Sequence, residues 1–386
     1  MRKKRDTHTS SCRCDQVNVS FHISDLQLTN FRNYGDDTFG LDPSLTILHG
    51  ANAVGKTNIV EAIQLLCEVS TFRKASNKDI IKHGGDTACI TLTAHDGSRT
   101  RCVKACIEQH TKSYEVNGKK VSVTEGILGH IPIVVFTPDN LGLVKDSAVK
   151  RRSELDELGY QLSKNYVQLC REYTKAVKGR NRLLADGYFM DPSFEAWTDQ
   201  LITIGAALYE NRAKLLARLA PLICEHYQLI DPHASLEVTY ITNWGALPED
   251  TREESAEKLR LAFDESFSDE CTRRITLVGP HRDDILFGID GHDARTFASQ
   301  GQQRTIALSW KLAHVSIIEE VLGVRPILLL DDVMSELDSE RRDALMAQVE
   351  QGAQTIITTT NIGYFESELL DRARVIEIER NPSCDV

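Results

Sequence analysis

Three short strings hold residue types whose spacing can do chemistry. In Gly50-Ala51-Asn52-Ala53-Val54-Gly55-Lys56-Thr57, two glycines frame a loop that closes on a lysine and a threonine, with Asn58 next. Without a Cβ at Gly50 and Gly55 the backbone can curl and turn its N–H groups inward, while Lys56 adds a point charge, which together make a cradle for a phosphate chain. The Thr57 hydroxyl is placed to ligate Mg2+ carried by those phosphates. Asp331-Asp332 offers two carboxylates: Asp331 suits the cation opposite Thr57, and Asp332 suits orienting or deprotonating an attacking water. Ser299-Gln300-Gly301-Gln302-Gln303-Arg304 brings small residues and amides to another helix start. One chain cannot easily offer two cradles to one nucleotide, so this segment is expected to serve a nucleotide held by a second copy. Taken alone, it reads as an ordinary helix cap by Ser299.

The elements that must position these strings follow from periodicity. Thr46 to Leu48 is a short apolar strand, and Ile59, Val60, Ile63 and Leu66 recur at helical spacing, so the glycine loop sits at a helix N-terminus, where the helix dipole favours anions. Ile327 to Leu330 is a continuous apolar strand leading into Asp331-Asp332, and carboxyl ends of such strands are where open α/β sheets bind ligands. Ile131 to Phe136 and Thr355 to Thr360 read as further strands, and Thr305 to Leu322 as an amphipathic helix. Alternating runs over Ala88 to Ala94, Thr100 to Ile107 and Ser113 to Val116, with Asn117-Gly118 as a hairpin turn, define a β-rich stretch. Arg274 to Val278 reads as a strand and Ile285 to Ile289 as part of a hairpin turning at Asp290-Gly291. Between about 146 and 271 long helical runs take over. The expected organisation is therefore a basic, disordered extension over 1–21, an α/β lobe from 22–145 and 272–386, and an inserted helical lobe over 146–271.

The chain has 386 residues, 45 Lys/Arg and 56 Asp/Glu, for a formal charge of −11. An acidic total disfavours wholesale coating by nucleic acid but allows a local basic patch. Residues 145–182 carry ten Lys/Arg against five Asp/Glu. Lys145, Lys150, Arg151, Arg152, Arg171, Lys175, Lys178, Arg180 and Arg182 are the candidates for DNA contact, with a solvated helix face as the plain alternative. Seven of the ten cysteines (Cys67, Cys89, Cys102, Cys106, Cys170, Cys224, Cys271) are scattered among apolar residues and read as buried thiols of a reducing compartment. Cys12-Arg13-Cys14 stands in a polar tail without further ligands. The N-terminal Arg2-Lys3-Lys4-Arg5 is followed by no apolar core of a secretory signal, and no apolar run approaches bilayer length. A cytoplasmic protein without a membrane partner is expected.

Taken in order, these pieces resemble the ABC-type ATPase heads of SMC and related DNA-repair proteins, and more narrowly the RecF family. The match is carried by Leu28 to Tyr34, Gly50 to Thr57, Phe136-Thr137-Pro138-Asp139-Asn140-Leu141, Arg151-Arg152, Gly279-Pro280-His281-Arg282-Asp283-Asp284, Ser299 to Arg304, and Leu328 to Asp338. The resemblance implies a P-loop ATPase head of α/β class with a β-rich subdomain and an inserted, mainly helical lobe. It implies ATP and Mg2+ as cofactors and an ATP-dependent head-to-head homodimer, with nucleotide between the phosphate loop of one subunit and the Ser299–Gly301 segment of the other. It further implies binding of single- and double-stranded DNA or their junction, slow DNA-dependent hydrolysis, and cooperation with RecO and RecR in loading RecA at gapped DNA. By the same carry-over Arg32 lies near the phosphates, Asp139 or Asn140 at the Q-loop position, Gln302 in the signature segment, Asp338 in the D-loop, and Thr360 at the switch position. Departures are Ala51 where SMC heads often have Pro, Asp332 where transporters have Glu, and Ala148 before Arg151-Arg152. The stretch between Thr57 and Asp331 is too short for long coiled coils, so the heads must meet without arms. A transporter-energising subunit would call for Gln and His where Asn140 and Thr360 stand. A vestigial scaffold is opposed by intact Lys56, Thr57, Asp331 and Asp332, and a kinase would leave Ser299–Arg304 without a purpose.

Overall fold

The apolar run Leu45–His49 becomes the second strand of a five-stranded parallel sheet. A computed structural model describes residues 21–68, 73, 75–97, 99–122 and 131–379. Across this sheet the order is Arg374–Glu377, Leu45–His49, Thr355–Thr359, Ile327–Asp331, Ile133–Phe136, and neighbours run parallel. Both faces are covered, which is why these strands read as continuous apolar runs. Leu48, Ile133, Leu329 and Ile356 face the phosphate-loop helix Lys56–Cys67, and Leu45, Ile47, Leu330 and Ile357 face the opposite side, with Leu308, Leu312 and Leu345. The parallel arrangement brings the C-terminal ends of all these strands to one edge, where Gly50, Asp331, Thr360 and Thr137 emerge.

Beyond the phosphate-loop helix lies a six-stranded antiparallel sheet in the order Asp36–Gly40, Phe21–Thr29, Thr87–Asp96, Arg99–Glu108, Lys112–Val116, Lys119–Val121. Its inward residues, Ile23, Leu26, Leu28, Ile90, Leu92, Val103 and Ala105, share one core with Ile59, Ile63 and Leu66 of that helix. Asn117 (φ 49°) and Gly118 (φ 76°) supply the two left-handed residues that a tight hairpin turn needs. Gln354 locks the two sheets together. Buried, it donates to the carbonyls of Ile23 (2.7 Å) and Asp42 (2.8 Å) and accepts from the Ile23 N–H (2.7 Å). Gln354→Leu leaves three backbone groups without this partner and is expected to cost about 1–3 kcal/mol, read as a lower urea midpoint at unchanged m-value.

The helical lobe consists of Ala148–Leu162, Lys164–Asp186, Pro192–Ile230 and Arg252–Arg273. Leu216, Leu219, Ile223 and Tyr227 of the long helix pack on Ile306, Trp310, Ala313 and Ile317 of the helix Gln300–Leu322, tying the lobe to the parallel sheet that this helix covers. Several expectations need correction here. The helical stretch also contains a strand, Leu236–Ile241, which pairs with Asp284–Ile289, so a boundary at 271 cuts through one three-stranded sheet. Arg274 to Val278 is not a strand: it pairs with no strand among the described residues, and side chains satisfy its backbone, Asn181 taking the Thr276 N–H and Glu270 the Leu277 N–H. Phe21 already belongs to a strand, and the expectation for the rest of the N-terminal extension, with Cys12 and Cys14, falls outside the described residues. Cys89 and Cys106 are not free thiols: they face each other in register across two antiparallel strands and form a disulfide. Cys67, Cys102, Cys170, Cys224 and Cys271 remain free, and only Cys67 and Cys170 among them are fully buried.

Candidate functional site

At the C-terminal edge of the parallel sheet the loop after Leu45–His49 turns into the helix Lys56–Cys67. Ala53 (φ 64°) and Gly55 (φ 116°) adopt left-handed backbone there. A Cβ on Gly55 would come within 2.5 Å of the Asn33 amide and 2.8 Å of the Tyr34 hydroxyl, so glycine is required both for the turn and for the brace against it. That brace is formed by the Asn33 amide donating to the Val54 carbonyl (2.8 Å), the Tyr34 hydroxyl donating to the Gly55 carbonyl (3.1 Å), and the Asn58 amide donating to Asn33 (2.7 Å). Lys56 folds back and donates to the carbonyls of Gly50 (2.8 Å) and Ala51 (2.7 Å). Burial pulls its pKa below the ordinary value, while Asp332 and Asp331 work the other way. The loop thus holds a cation that is satisfied only by neutral carbonyls, and Ala51 and Asn52 stand exposed at its crest.

Facing the loop, the Thr57 hydroxyl donates to Asp331 Oδ1 (2.9 Å), and Thr358 donates to the same oxygen (2.7 Å). Burial raises the pKa of Asp331 against those two hydrogen bonds. Asp332 has left-handed backbone (φ 53°) fixed by its N–H on the Thr358 hydroxyl (3.0 Å). Burial also raises its pKa, and its Oδ1 is buried without a partner. A raised carboxylate with an unsatisfied oxygen suits the handling of a water proton. No cluster of three or more His, Cys, Asp or Glu is set to hold a metal by itself among the described residues. The Thr57 hydroxyl and Asp331 carboxylate fit Mg2+ in the manner in which it is usually held, by one or two protein oxygens completed by phosphate and water.

The remaining expected residues divide. Arg32 (φ 54°) is clamped by Glu61 (2.7 and 3.0 Å) on the phosphate-loop helix and by the Asp79 carbonyl (2.6 Å), so it stands beside the loop with its donors engaged. Asn140 lies past the end of Ile133–Phe136, as the Q-loop reading requires, but its side chain is buried, capping Thr137 and donating to Glu154 (2.7 Å). Asp139 is the exposed member of that pair. Thr360 is half-buried at the same sheet edge. Ser299 and Gln302 form a reciprocal capping box at the start of Gln300–Leu322, and Ser299 is exposed while Gly301 is half-buried, so a second molecule can reach them. Asp338 caps the helix Ser339–Glu350 and pairs with Arg341, which also donates to Thr305 (2.8 Å). Arg304 pairs with Glu336 (3.2 Å). The signature-like and D-loop-like segments therefore form one braced surface. Thr358 is the site residue that sequence reasoning missed; its signal was the threonine run at the end of a strand flanking Asp331.

The basic segment is corrected more sharply. Arg151 is buried against Asp284 (2.7 and 2.8 Å) and donates to the carbonyls of Leu143, Val144 and Asp146. Arg180 is buried between the rings of Phe194 and Phe263 and pairs with Glu270 (2.6 Å). Burial of a guanidinium needs such partners, so these arginines hold the lobe together and do not face DNA. Arg152 is also buried and donates to the Asp283 carbonyl, and Lys150 leans on Glu154 (3.3 Å). Lys145, Arg171, Lys175, Lys178 and Arg182 are exposed. Gly279–Asp284 is the hub of the buried contacts: the Asp283 carboxylate, raised by burial to about 6, accepts from Tyr240 (3.0 Å) and Trp244 (2.9 Å).

A phosphate loop, two successive carboxylates at the end of the strand Ile327–Asp331, one strand removed across the sheet, and a capped serine-glycine segment define a P-loop ATPase head of the ABC/SMC type. Solved SMC heads share this fold: one from Pyrococcus furiosus superposes with a TM-score of 0.53 at 15% identity over 94% of each chain. Residues 22–381 match the family described as RecF/RecN/SMC N terminal domain. The chain belongs to the RecF family. It is 35% identical, over 92% of its length and 95% of the relative's, to the DNA replication and repair protein RecF of Synechococcus sp. (strain JA-3-3Ab). A solved structure titled as the recombination mediator protein RecF-ATP in the RecFOR pathway matches with a TM-score of 0.85 at 30% identity, over 91% of this chain and 95% of that one.

Proposed function

We propose that the chain is a DNA replication and repair ATPase in which ATP acts mainly to join two heads. The observation that carries this is the exposure of the Ser299 capping box on a surface braced to Asp338, together with a phosphate loop that ends on Lys56 and Thr57 in the same chain. The triphosphate lies between Lys56 of one copy and Ser299 of the other; Mg2+ on Thr57 and Asp331 neutralises phosphate charge, and Asp332 orients the water that ends the cycle. DNA binds the closed dimer through the exposed lysines and arginines of the helical lobe; the RecFOR pathway named for the solved relative supports RecO- and RecR-type partners, and loading of RecA at gapped DNA is the role proposed for them together. The setting is cytoplasmic, in keeping with the absence, among the described residues, of any helix long and apolar enough to cross a membrane.

Sedimentation tests the reading. ATP should convert the parent to a dimer, and Ser299→Arg should weaken that conversion by at least about tenfold while leaving ATP binding by the monomer intact, because a large cation obstructs the trans contact whereas the lost helix cap costs only about 0.5–2 kcal/mol within the monomer. Dimers without ATP, or none with it, would sink the proposal.

A further inference from the structure

A cleft of about 230 Å³ opens between the helices Ala148–Leu162, Lys164–Asp186 and Pro192–Ile230 and the Gly279–Asp284 loop, with Val149, Arg152, Thr174, Arg212 and His281 in its wall. Most of its polar groups are already satisfied. Arg212 is paired with Asp156 (2.7 and 2.9 Å), and His281 is held neutral by burial, its ring nitrogens occupied by the Tyr173 hydroxyl (2.8 Å) and the Thr276 carbonyl (3.3 Å). Arg152 differs. It is 9% exposed, makes one hydrogen bond, to the Asp283 carbonyl, and forms no ion pair among the described residues. Asp283 and Asp284 act on it electrostatically, but neither carboxylate bonds to it: Asp283 accepts from Tyr240 and Trp244, and Asp284 from Arg151. A guanidinium carries five donors, and with one of them used the fork of Arg152 has donors left for an anion in the cleft.

We propose that the cleft binds a phosphate group on Arg152, and that the phosphate belongs to the backbone of a nucleic acid strand. The guanidinium fork matches phosphate geometry. The source is indicated by the rim: Arg171, Lys175, Lys178 and Arg182 are exposed at i, i+4, i+7 and i+11 on one face of Lys164–Asp186, and Thr174 of the cleft wall lies among them. A strand following that stripe passes the mouth of the cleft. The inference rests on the DNA-binding reading above and assigns it one buried contact.

The test is fluorescence anisotropy of a labelled single strand and a labelled duplex against the full chain with ATP, across a salt series. Val149→Glu sets a carboxylate at the mouth from a side chain that is 60% exposed, Arg152→Met removes the cation, and Arg152→Lys keeps charge without the fork. Val149→Glu and Arg152→Met should weaken DNA binding roughly tenfold at low salt and reduce the log–log salt slope by about 0.7–0.9, one phosphate, with Arg152→Lys in between and ATP binding unchanged. If Arg152→Met does not fold, Val149→Glu carries the test alone. Parental affinity and slope in the folded variants overturn the proposal. If the parent binds no DNA, that reading fails, and thermal stabilisation by pyrophosphate in a Lys56→Ala background decides the rest. Stabilisation that Val149→Glu abolishes keeps the cleft as a site for free phosphates and overturns the nucleic-acid source; no stabilisation overturns both.

Discussion

Lys56→Ala is expected to lower affinity for ATP by roughly 100- to 10,000-fold, since each charge-assisted hydrogen bond to a phosphate oxygen is worth about 1.5–3 kcal/mol and the lysine is placed to make two. The same ammonium donates to the carbonyl of Gly50, which is buried, and to that of Ala51, which is exposed. Burial pulls its pKa below the ordinary lysine value, so the fold holds this charge at a cost, and removing the charge offsets part of the bond lost to Gly50. The variant should therefore unfold at nearly the parental denaturant midpoint while titration calorimetry shows ATP binding lost. Binding within tenfold of the parent would mean that the triphosphate does not sit on this loop.

How far the sequence could be read follows from where the relevant physics is local. The phosphate loop, the strand before Asp331 and the Asn117-Gly118 hairpin depend on neighbouring residues, and each appears within a residue or two of its expected bounds. The helix cap by Ser299 is likewise local, although that expectation leaves out its reciprocal partner Gln302, three positions on. What could not be read depends on partners remote in the chain. Arg151 and Arg180 looked like surface cations until Asp284 and Glu270, about 90 or more positions away, turned out to hold them in the interior. Arg274 to Val278 had the composition of a strand but pairs with none among the described residues, while Leu236–Ile241 had its partner across a helix and a loop. Cys89 and Cys106 read as separate buried thiols because strand register, which sets them opposite each other, is a tertiary property. Asn140 is expected, with Asp139, at the Q-loop position, yet its amide is engaged by Glu154 from the helical lobe, a contact that no local motif announces.

Glu154 belongs to a buried charge cluster whose disruption should be the most damaging single change outside the nucleotide site. It accepts from Lys311 (2.6 Å) on the Ser299 helix and from Asn140 (2.7 Å), and Lys150 lies 3.3 Å away. Gln161 links the same helix to Glu68 (3.0 Å) at the end of the phosphate-loop helix. Burial pushes Glu157 up to about 7 and Glu68 up to about 8, whereas Glu154, despite its own burial, is held below the usual carboxylate range by Lys311 and Lys150. Signs follow by linkage. The folded chain keeps protons on Glu157 and Glu68 that the unfolded chain has released between about pH 4.3 and 8, so their contribution to stability falls as pH rises through that window. Glu154 contributes stability above its ordinary pKa and loses it in acid. Lys311→Met removes the cation that lowers all three carboxylates and leaves Glu154 buried beside Lys150 alone. The expected loss is about 3–5 kcal/mol at pH 8, the cost of breaking a buried pair from one side. At pH 5.5 it should be smaller, because the cluster can take up protons in place of the missing charge. Urea unfolding of parent and variant at the two pH values makes the comparison, and an equal loss at both would show that the lysine matters for packing and not for charge.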